Sequence, residues 1–274
     1  EQIIAASSTY FDPLISLASS QGYYNNVLTV DPLDKNHIIM GGVALAEWRE
    51  GNNPKYIASQ NDFGGANPAY VHSDKHVLQW DMSTTPTTLI CGNDGGLFFS
   101  SDNLRTFTPR NQGYNVTQFY AVAADYEGSV TGGSQDNGTQ FQTDRENKIT
   151  SSIDVSGGDG AASMFSQNLD KPYFIANYVY NNSVEAYDFK SDSNFNINNE
   201  SGSNGDFINV QALDSNYGII YSNYTGSNFE IKAYYDWDNF AEADKNTNAP
   251  SRTLQSGMMT ANVSALTVSP HTTN

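Results

Sequence analysis

The sequence has few basic residues and a single cysteine. Its 274 residues include 13 Lys and Arg residues against 30 Asp and Glu residues, and Cys91 cannot form an intrachain disulfide. The net charge of −17 repels phosphate backbones and anionic headgroups, which argues against binding to nucleic acid or to a membrane surface. Cations and neutral glycans remain open as partners, and the same charge would also keep a secreted protein soluble.

Several sequence signals are missing. No apolar run reaches membrane-spanning length, so we expect no transmembrane segment. The first residues show no basic region and apolar core, so the sequence predicts no signal peptide here; a signal could already have been removed, or the chain could be an internal piece. Walker, GxGxxG and CxxC motifs are absent, as are recognisable catalytic triads. Cys91 lies in an apolar run without a nearby basic residue in the sequence, which predicts a buried structural thiol.

The residues that are abundant indicate an all-β protein. Tyr (17) and Phe (14) suit half-buried strands, and Gly, Asn, Asp and Ser recur as turn residues. Short apolar strands end in a turn residue at steps of 50, 44, 43 and 46 residues, namely at Asp31, Asp81, Asp125, Asn168 and Asp214. A period of about 40–50 residues with several strands in each is typical of propeller blades.

We therefore predict one β-propeller domain over residues 1–274, built of four-stranded antiparallel blades. The repeats give about five blades and the start of another at Val263. Blades bury their faces only against neighbours, so we expect a partial propeller, a fragment of a longer propeller or multidomain chain. Residues 188–205 and 236–257 are rich in Asn, Ser and Asp, which predicts exposed loop insertions.

Five motifs, in this order, resemble the BNR-repeat (Asp-box) propellers: HSDKH at 72–76, GNDGG at 92–96, TQFY at 117–120, GGSQDNGT at 132–139 and GGDG at 157–160. More closely, they are similar to the sortilin-like and xyloglucanase-like branch found in secreted bacterial proteins, often from Bacteroidetes. The resemblance runs from about Gly22 onward. It implies a secreted or outer-surface location, but this fold hosts many functions.

The Asp-box of that family reads Ser-x-Asp-x-Gly-x-Thr-Trp. Ser100, Asp102, Thr106 and Phe107 match it, with Leu104 in place of Gly and Phe107 in place of Trp. The resemblance implies a structural hairpin turn, in which Asp102 accepts backbone N–H bonds and Phe107 packs back on the sheet. We therefore assign Asp102 no catalytic role.

His72, Asp74 and His76 are spaced at i, i+2 and i+4. On a strand, this spacing places all three side chains on one face. Two imidazoles and a carboxylate could hold a divalent metal such as calcium, the only cofactor that we consider. Alternatively, the three residues form a hydrogen-bond network between blades, or they contact a ligand.

Polar corners occur at similar points of successive repeats, and their residues are Asn93, Asp94, Gln135, Asp136, Asn137 and Asp159. At one end of a channel they could bind a cation or sugar hydroxyls. Asp-Gly and Asn-Gly are also ordinary hairpin-turn residues, because they tolerate positive φ. The later repeats hold many aromatic residues, either interface contacts or strand packing: Tyr173, Tyr178, Tyr180, Tyr221, Tyr224, Tyr234, Tyr235 and Trp237.

We expect a non-catalytic module of a secreted or cell-surface bacterial protein. It would bind a protein or glycan at the cell surface or act as a scaffold, and its partners could include other domains or the secretion machinery of the same organism. The alternative is a glycoside hydrolase of xyloglucanase or sialidase type with part of its active site outside this chain, since such an enzyme needs two carboxylates flanking the bond. A third hypothesis is a sortilin-like protein that captures peptides in its channel.

Overall fold

The computed structural model describes residues 21–59, 62, 66–114, 116–143, 152–188, 193–200, 202–225, 229–237, 248–254 and 259–269. The chain divides into two compact units, residues 1–116 and 117–274. The architecture is all-β, with five four-stranded antiparallel sheets whose strands follow one another in sequence order. The described residues include no helix that is long and apolar enough to span a membrane.

Unit 1 holds two sheets. Sheet 1 consists of β1 (Val27–Asp31), β2 (Asp34–Gly41), β3 (Leu45–Arg49) and β4 (Lys55–Ala58). Sheet 2 consists of β5 (Lys75–Asp81), β6 (Thr88–Asn93), β7 (Gly96–Ser100) and β8 (Thr108–Pro109). The first strands of the two sheets, β1 and β5, contact each other.

Unit 2 holds three sheets. Sheet 3 consists of β9 (Phe119–Ala124), β10 (Val130–Ser134), β11 (Thr139–Gln142) and β12 (Ile153–Ser156). Sheet 4 consists of β13 (Gly160–Phe165), β14 (Tyr173–Tyr178), β15 (Ser183–Asp188) and β16 (Ser193–Asn199), with a 3-10 turn at Val179–Asn181. Sheet 5 consists of β17 (Gln211–Asp214), β18 (Ile219–Tyr224), β19 (Glu230–Tyr234) and β20 (Ser251–Leu254). Again, the first strands of neighbouring sheets are in contact.

One turn recurs in all five sheets. The five predicted turn residues lie at or just after the end of the first strand, and in each the side-chain Oδ1 accepts the backbone N–H of the residue two positions later, at 2.9–3.0 Å. An Asp or Asn oxygen in this position substitutes for a backbone acceptor and turns the chain toward the second strand. The repeat predicted from Asp31, Asp81, Asp125, Asn168 and Asp214 is therefore confirmed as the period of the sheets.

The core of unit 1 lies between its two sheets. Alternate residues of the strands point into it, since side chains of a strand face opposite sides in turn. The buried cluster comprises Ile39, Leu45, Ala58, Ala69, Val71, Leu78, Leu89, Cys91, Leu104 and Phe107, and each large apolar member contributes about 1.5–3 kcal/mol. Cys91 is fully buried, as predicted, and burial raises its pKa to about 11, so the thiol stays protonated at neutral pH.

Unit 2 has two such layers. Between sheets 3 and 4, the Phe174 ring stacks on Phe141 and Tyr187, with centroids 4.8 Å and 4.9 Å apart. A second cluster holds residues of sheets 4 and 5: Tyr173, Ile175, Val184, Ala186, Phe195, Ile197, Ile220, Tyr234, Trp237 and Ala249. The predicted aromatic residues Tyr173, Tyr234 and Trp237 are therefore core residues, and they offer no contact surface.

Two predictions of the sequence analysis need correction. The stretches 188–205 and 236–257 are not mere loop insertions, because they carry the outer strands β16 and β20. In β16, Phe195 and Ile197 are buried between asparagines, so the polar composition concealed a strand. The start of a sixth blade at Val263 does not appear, since residues 259–269 are described without a strand.

Candidate functional site

Within each unit, neighbouring sheets meet in the same way. The turn between the second and third strands of one sheet, here called its corner, contacts the segment that precedes the first strand of the next sheet. Both segments lie at the same end of their sheets, because the second strand runs back to the end at which the first began. There are three such junctions in the described residues: sheets 1–2, sheets 3–4 and sheets 4–5.

The junction of sheets 1 and 2 is built around a buried lysine. The Lys75 N–H donates to Gly42 O at 2.9 Å, and its Nζ donates to Val43 O at 2.8 Å. The side chain is fully buried. Gly41 leaves room for it, since a Cβ there would lie 2.8 Å from Lys75 Cβ. Burial lowers the pKa of Lys75 to about 8, although Cys91 and Asp74 act in the opposite direction.

The expectation that His72, Asp74 and His76 share one face of a strand is wrong. Strand β5 begins at Lys75, and Asp74 has a φ of 61°, in the left-handed region, which interrupts the alternation of an extended chain. Instead, the His72 ring packs over Gly95, where a Cβ would lie 2.4 Å from the ring Cγ.

Asp74 and His76 have different partners. Asp74 Oδ1 accepts a hydrogen bond from Asn25 Nδ2, whereas His76 Nε2 lies 2.7 Å from Asp94 Oδ1. Burial, and then the charge of Asp94, raise the pKa of Asp74. Carboxylates and imidazoles are ligand types that divalent cations take. The hypothesis of a metal held by His72, Asp74 and His76 stays a prediction.

Asn93 and Asp94 form the corner of sheet 2. The Gly95 N–H donates to Asn93 Oδ1 at 3.0 Å, and Asn111 closes the turn by donating from Nδ2 to Gly95 O at 2.8 Å. Gly96 has a φ of 111°, and a Cβ there would lie 2.3 Å from Asn111 Oδ1. Asn93 thus supports the turn, and Asp94 is the corner residue that reaches His76.

The junction of sheets 3 and 4 is built from glycines. The Gly138 N–H donates to Gly158 O at 2.7 Å, and a Cβ at Gly160, the first residue of β13, would lie 2.3 Å from Gly138 O. A Cβ at Gly133 would lie 2.0 Å from Ala161 O. No side chain fits between these backbones, so the two sheets approach more closely than ordinary side chains allow.

This close approach brings two predicted residues together. The Asp136 N–H donates to Asp159 Oδ1 at 3.0 Å, and Asp136 has a φ of 58°. Gln135 and Asn137 complete the corner, with Asn137 Nδ2 donating to Gln135 O at 3.0 Å. The predicted equivalence of the corners holds for Asp94 and Asp136, but Asp159 precedes β13 and corresponds to Asp74, which precedes β5.

The junction of sheets 4 and 5 is built from buried amides. Asn181 is fully buried with a φ of 58°. Its Nδ2 donates to the Tyr234 hydroxyl at 3.1 Å, while its Oδ1 accepts from Gln211 Nε2 at 3.0 Å and from Ser222 Oγ at 2.9 Å. Asn198 Nδ2 donates to Asn181 O at 2.8 Å. This network fixes the 3-10 turn that precedes β15.

Aromatic rings flank the corners of unit 2. Phe207 lies in edge contact with Tyr120 and Tyr180, at centroid distances of 5.9 Å and 5.3 Å. Tyr178 packs over Gly158, where a Cβ would lie 2.7 Å from the ring Cε2. Burial, followed by the charges of Asp159 and Asp136, raises the pKa of Tyr120 and of Tyr178.

The Ser100–Phe107 turn is held by one carboxylate. Asp102 Oδ1 accepts the N–H groups of Arg105 and Thr106 at 3.1 Å and 3.0 Å, and Oδ2 accepts the Thr106 hydroxyl at 2.7 Å. Burial alone would raise the pKa of Asp102, but these hydrogen bonds and one from Ser100 outweigh it and the pKa is lowered. Phe107 is buried in the core of unit 1, so this turn is structural.

Sequence reasoning missed two residues of the junctions. A lysine between Asp74 and His76 reads as a solvated charge, and only a three-dimensional neighbourhood reveals that Lys75 is buried. The fifth repeat predicts a strand from Phe207 to Asp214, but β17 begins only at Gln211, so Phe207 lies before the strand and contacts the corner of sheet 4. Tyr180 stood among eight aromatic residues, and the sequence did not distinguish it from the buried Tyr173 or Trp237.

No protein-family model matches this chain, and no curated protein matches it either. Among solved structures, one described as "Structure of U3-55K" matches 76% of this chain and 60% of its own length, with 13% identity and a TM-score of 0.33. This chain therefore spans less than two thirds of that chain. So low a TM-score carries no argument about fold or function.

Proposed function

We propose that this chain is a non-catalytic β-propeller module of a secreted or cell-surface protein, which binds a protein or glycan partner through the corners of its sheets. The sheets would be blades of a partial propeller of the BNR-repeat, sortilin-like kind, in one domain over residues 1–274. The net charge of −17 favours solubility outside the cell and a cationic or neutral partner.

The repeated junction is the observation that carries this proposal. In three pairs of sheets, a corner meets the start of the next first strand, and first strands of neighbouring sheets touch. Propeller blades repeat around an axis in the same way, with the first strand innermost. The junctions gather carboxylates and aromatic rings at one end of the sheets, where apolar residues would suffice for packing.

A glycoside hydrolase is the second candidate, and one observation favours it. Burial and the charge of Asp94 raise the pKa of Asp74, and a carboxyl group of raised pKa beside a second carboxylate is the arrangement of a general acid with its partner. In this case Asp74 would donate the proton and Asp94 would act as the base or nucleophile.

Hydrolysis and binding assays on the same glycans distinguish the two candidates. The chain is incubated with β-glucans, xyloglucan and sialosides, and both the release of reducing ends and the retardation in affinity gels are measured. We expect no turnover. Turnover that disappears in Asp74→Asn and persists in Asp102→Asn, a turn carboxylate of the same unit, would overturn the non-catalytic proposal.

A further inference from the structure

We propose that unit 2 carries a binding site for a basic peptide, in which Tyr120, Tyr180 and Phe207 surround a Lys or Arg side chain beside the carboxylates of Asp136 and Asp159. This inference rests on the proposed function, because it specifies the partner class of a corner. It requires neither a closed propeller nor a secreted location.

The three rings form an exposed aromatic group. Phe207 is 39% exposed and Tyr180 is 37% exposed, and Tyr120 is half-buried. The ring planes of Tyr120 and Tyr180 stand at 89° and 75° to that of Phe207. Rings at steep angles to one another form the walls of the aromatic cages that bind ammonium groups, since a ring face attracts a cation.

The chain holds Tyr180 in this position at an energetic cost. Its φ is 59°, a strained backbone conformation that is rare for a bulky residue. Its N–H donates to Phe207 O at 3.2 Å, and its carbonyl accepts the Asn204 N–H at 3.1 Å. The buried carboxamide of Asn181 anchors the next residue. The ring of this strained residue is partly exposed and lies in edge contact with Phe207.

Negative charge lies beside the rings. Asp136 and Asp159 are joined by the hydrogen bond from the Asp136 N–H. The corner of Asp136 is also bonded to the segment that leads into the strand of Tyr120, because the Gln135 N–H donates to Gln118 O at 2.9 Å. Burial, and then the charges of Asp159 and Asp136, raise the pKa of the Tyr120 hydroxyl. The same negative potential attracts a cation, and it would attract most strongly a cation that is also in contact with the ring faces.

This combination selects a basic peptide over a neutral glycan. A sugar ring would stack on the aromatic group and donate hydroxyl hydrogen bonds to the two carboxylates, but it carries no charge of its own, so its binding would depend little on salt. A Lys or Arg side chain uses both features, and the net charge of −17 would speed its approach at low salt. The salt dependence of binding therefore discriminates between the two ligand classes.

Calorimetric titration of the full chain with an acetylated hexalysine peptide tests the site, with cellohexaose as the neutral probe. We expect hexalysine to bind and to weaken as salt is added. Asp159→Asn should reduce its affinity about fivefold or more, and Phe207→Leu about threefold to tenfold, whereas Phe207→Trp should strengthen binding, because Trp is the best cation–π partner. The matched control is Asp170→Asn, an exposed carboxylate at a loop of sheet 4, which should change the affinity less than twofold.

The gain expected for Phe207→Trp cannot result from misfolding. Equal losses in Asp159→Asn and Asp170→Asn would show unspecific charge attraction and overturn the site. If cellohexaose binds through Phe207 and hexalysine does not bind, the proposed function stands and this inference falls. If neither probe binds and no glycan is retarded in the gels, both binding claims fall and a scaffold role is left.

Discussion

The junction of sheets 1 and 2 and the junction of sheets 3 and 4 both join the corner of one sheet to the next sheet, but they use different residues. In unit 1, the ammonium group of Lys75 crosses the gap and donates to a carbonyl of the neighbouring corner. In unit 2, glycines remove the gap, and the two backbones bond directly. An Asp residue precedes the first strand in both cases, as Asp74 or Asp159.

The difference shows which parts of the repeat are fixed. A backbone hydrogen bond crosses each junction, but its direction differs: Gly42 O of one corner accepts the Lys75 N–H, whereas the Gly138 N–H of the other corner donates to Gly158 O. The side chains differ between the junctions: a buried lysine occupies one, and glycines occupy the other. The glycine junction brings the corner residue Asp136 into contact with Asp159, whose Oδ1 accepts the Asp136 N–H, which is why we place the binding site there.

The largest effect is expected for Gly138→Ala. A Cβ at Gly138 would overlap Ser156 O, and the φ of 65° adds strain. We expect a loss of about 4 kcal/mol or more in the free energy of unfolding. The control Gly128→Ala has a φ of 91° and open space around it, so it should lose only about 1–2 kcal/mol. Equal losses in urea unfolding would contradict the close packing of Gly138 against the backbone of Ser156, the last residue of β12 before the segment that leads into sheet 4.

A smaller effect is expected at the amide junction of sheets 4 and 5. Asn181→Gly keeps the left-handed backbone but leaves Gln211 and Ser222 without their shared acceptor, and it should lose about 2–3 kcal/mol. Asn181→Ala adds backbone strain of about 1–2 kcal/mol. Thermal unfolding of both variants separates the contribution of the lost hydrogen bonds from that of the backbone strain. Indistinguishable variants would mean that the left-handed turn is not formed.

Because of the buried Lys75 at the junction of sheets 1 and 2, we expect the free energy of unfolding to depend on pH. Lys75 releases its proton near pH 8 in the folded chain but at about 10.5 when unfolded. Between these values the unfolded chain binds more protons, so stability rises with pH, by up to about 3 kcal/mol. Cys91 has the opposite effect on stability, because its folded pKa of about 11 exceeds the unfolded value of 9.0. Between these two values the folded chain binds more protons, so stability falls as pH rises.

Comparison with Lys75→Met isolates the contribution of the lysine. In buffer with a chelator, the stability of the natural chain relative to the variant should increase by about 2–3 kcal/mol between about pH 7.5 and pH 10. The exposed Lys35→Met should show no such change. Parallel pH profiles for the natural chain and Lys75→Met would contradict the burial of this ammonium group.

The sequence revealed the features that depend on local chemistry. Asp31 and Asp214 turn the chain by bonding two residues onward, and such turns can be recognised without a structure. The outer strand β16 was missed because Phe195 and Ile197 alternate with asparagines. Asp74 was placed on a strand because its left-handed φ depends on a tertiary contact with Asn25. The burial of Lys75 likewise depends on a neighbouring sheet.

The shared junction is the central claim, and amide hydrogen exchange measured by NMR tests it most directly. The N–H groups of Lys75, Gly138 and Tyr180 each cross to the neighbouring sheet or its leading segment. We predict that they exchange as slowly as amides within the strands, whereas the Gly128 N–H, in a surface turn with a 3.5 Å bond, exchanges rapidly. Rapid exchange of all three amides would contradict the repeated junction and the binding surface that rests on it.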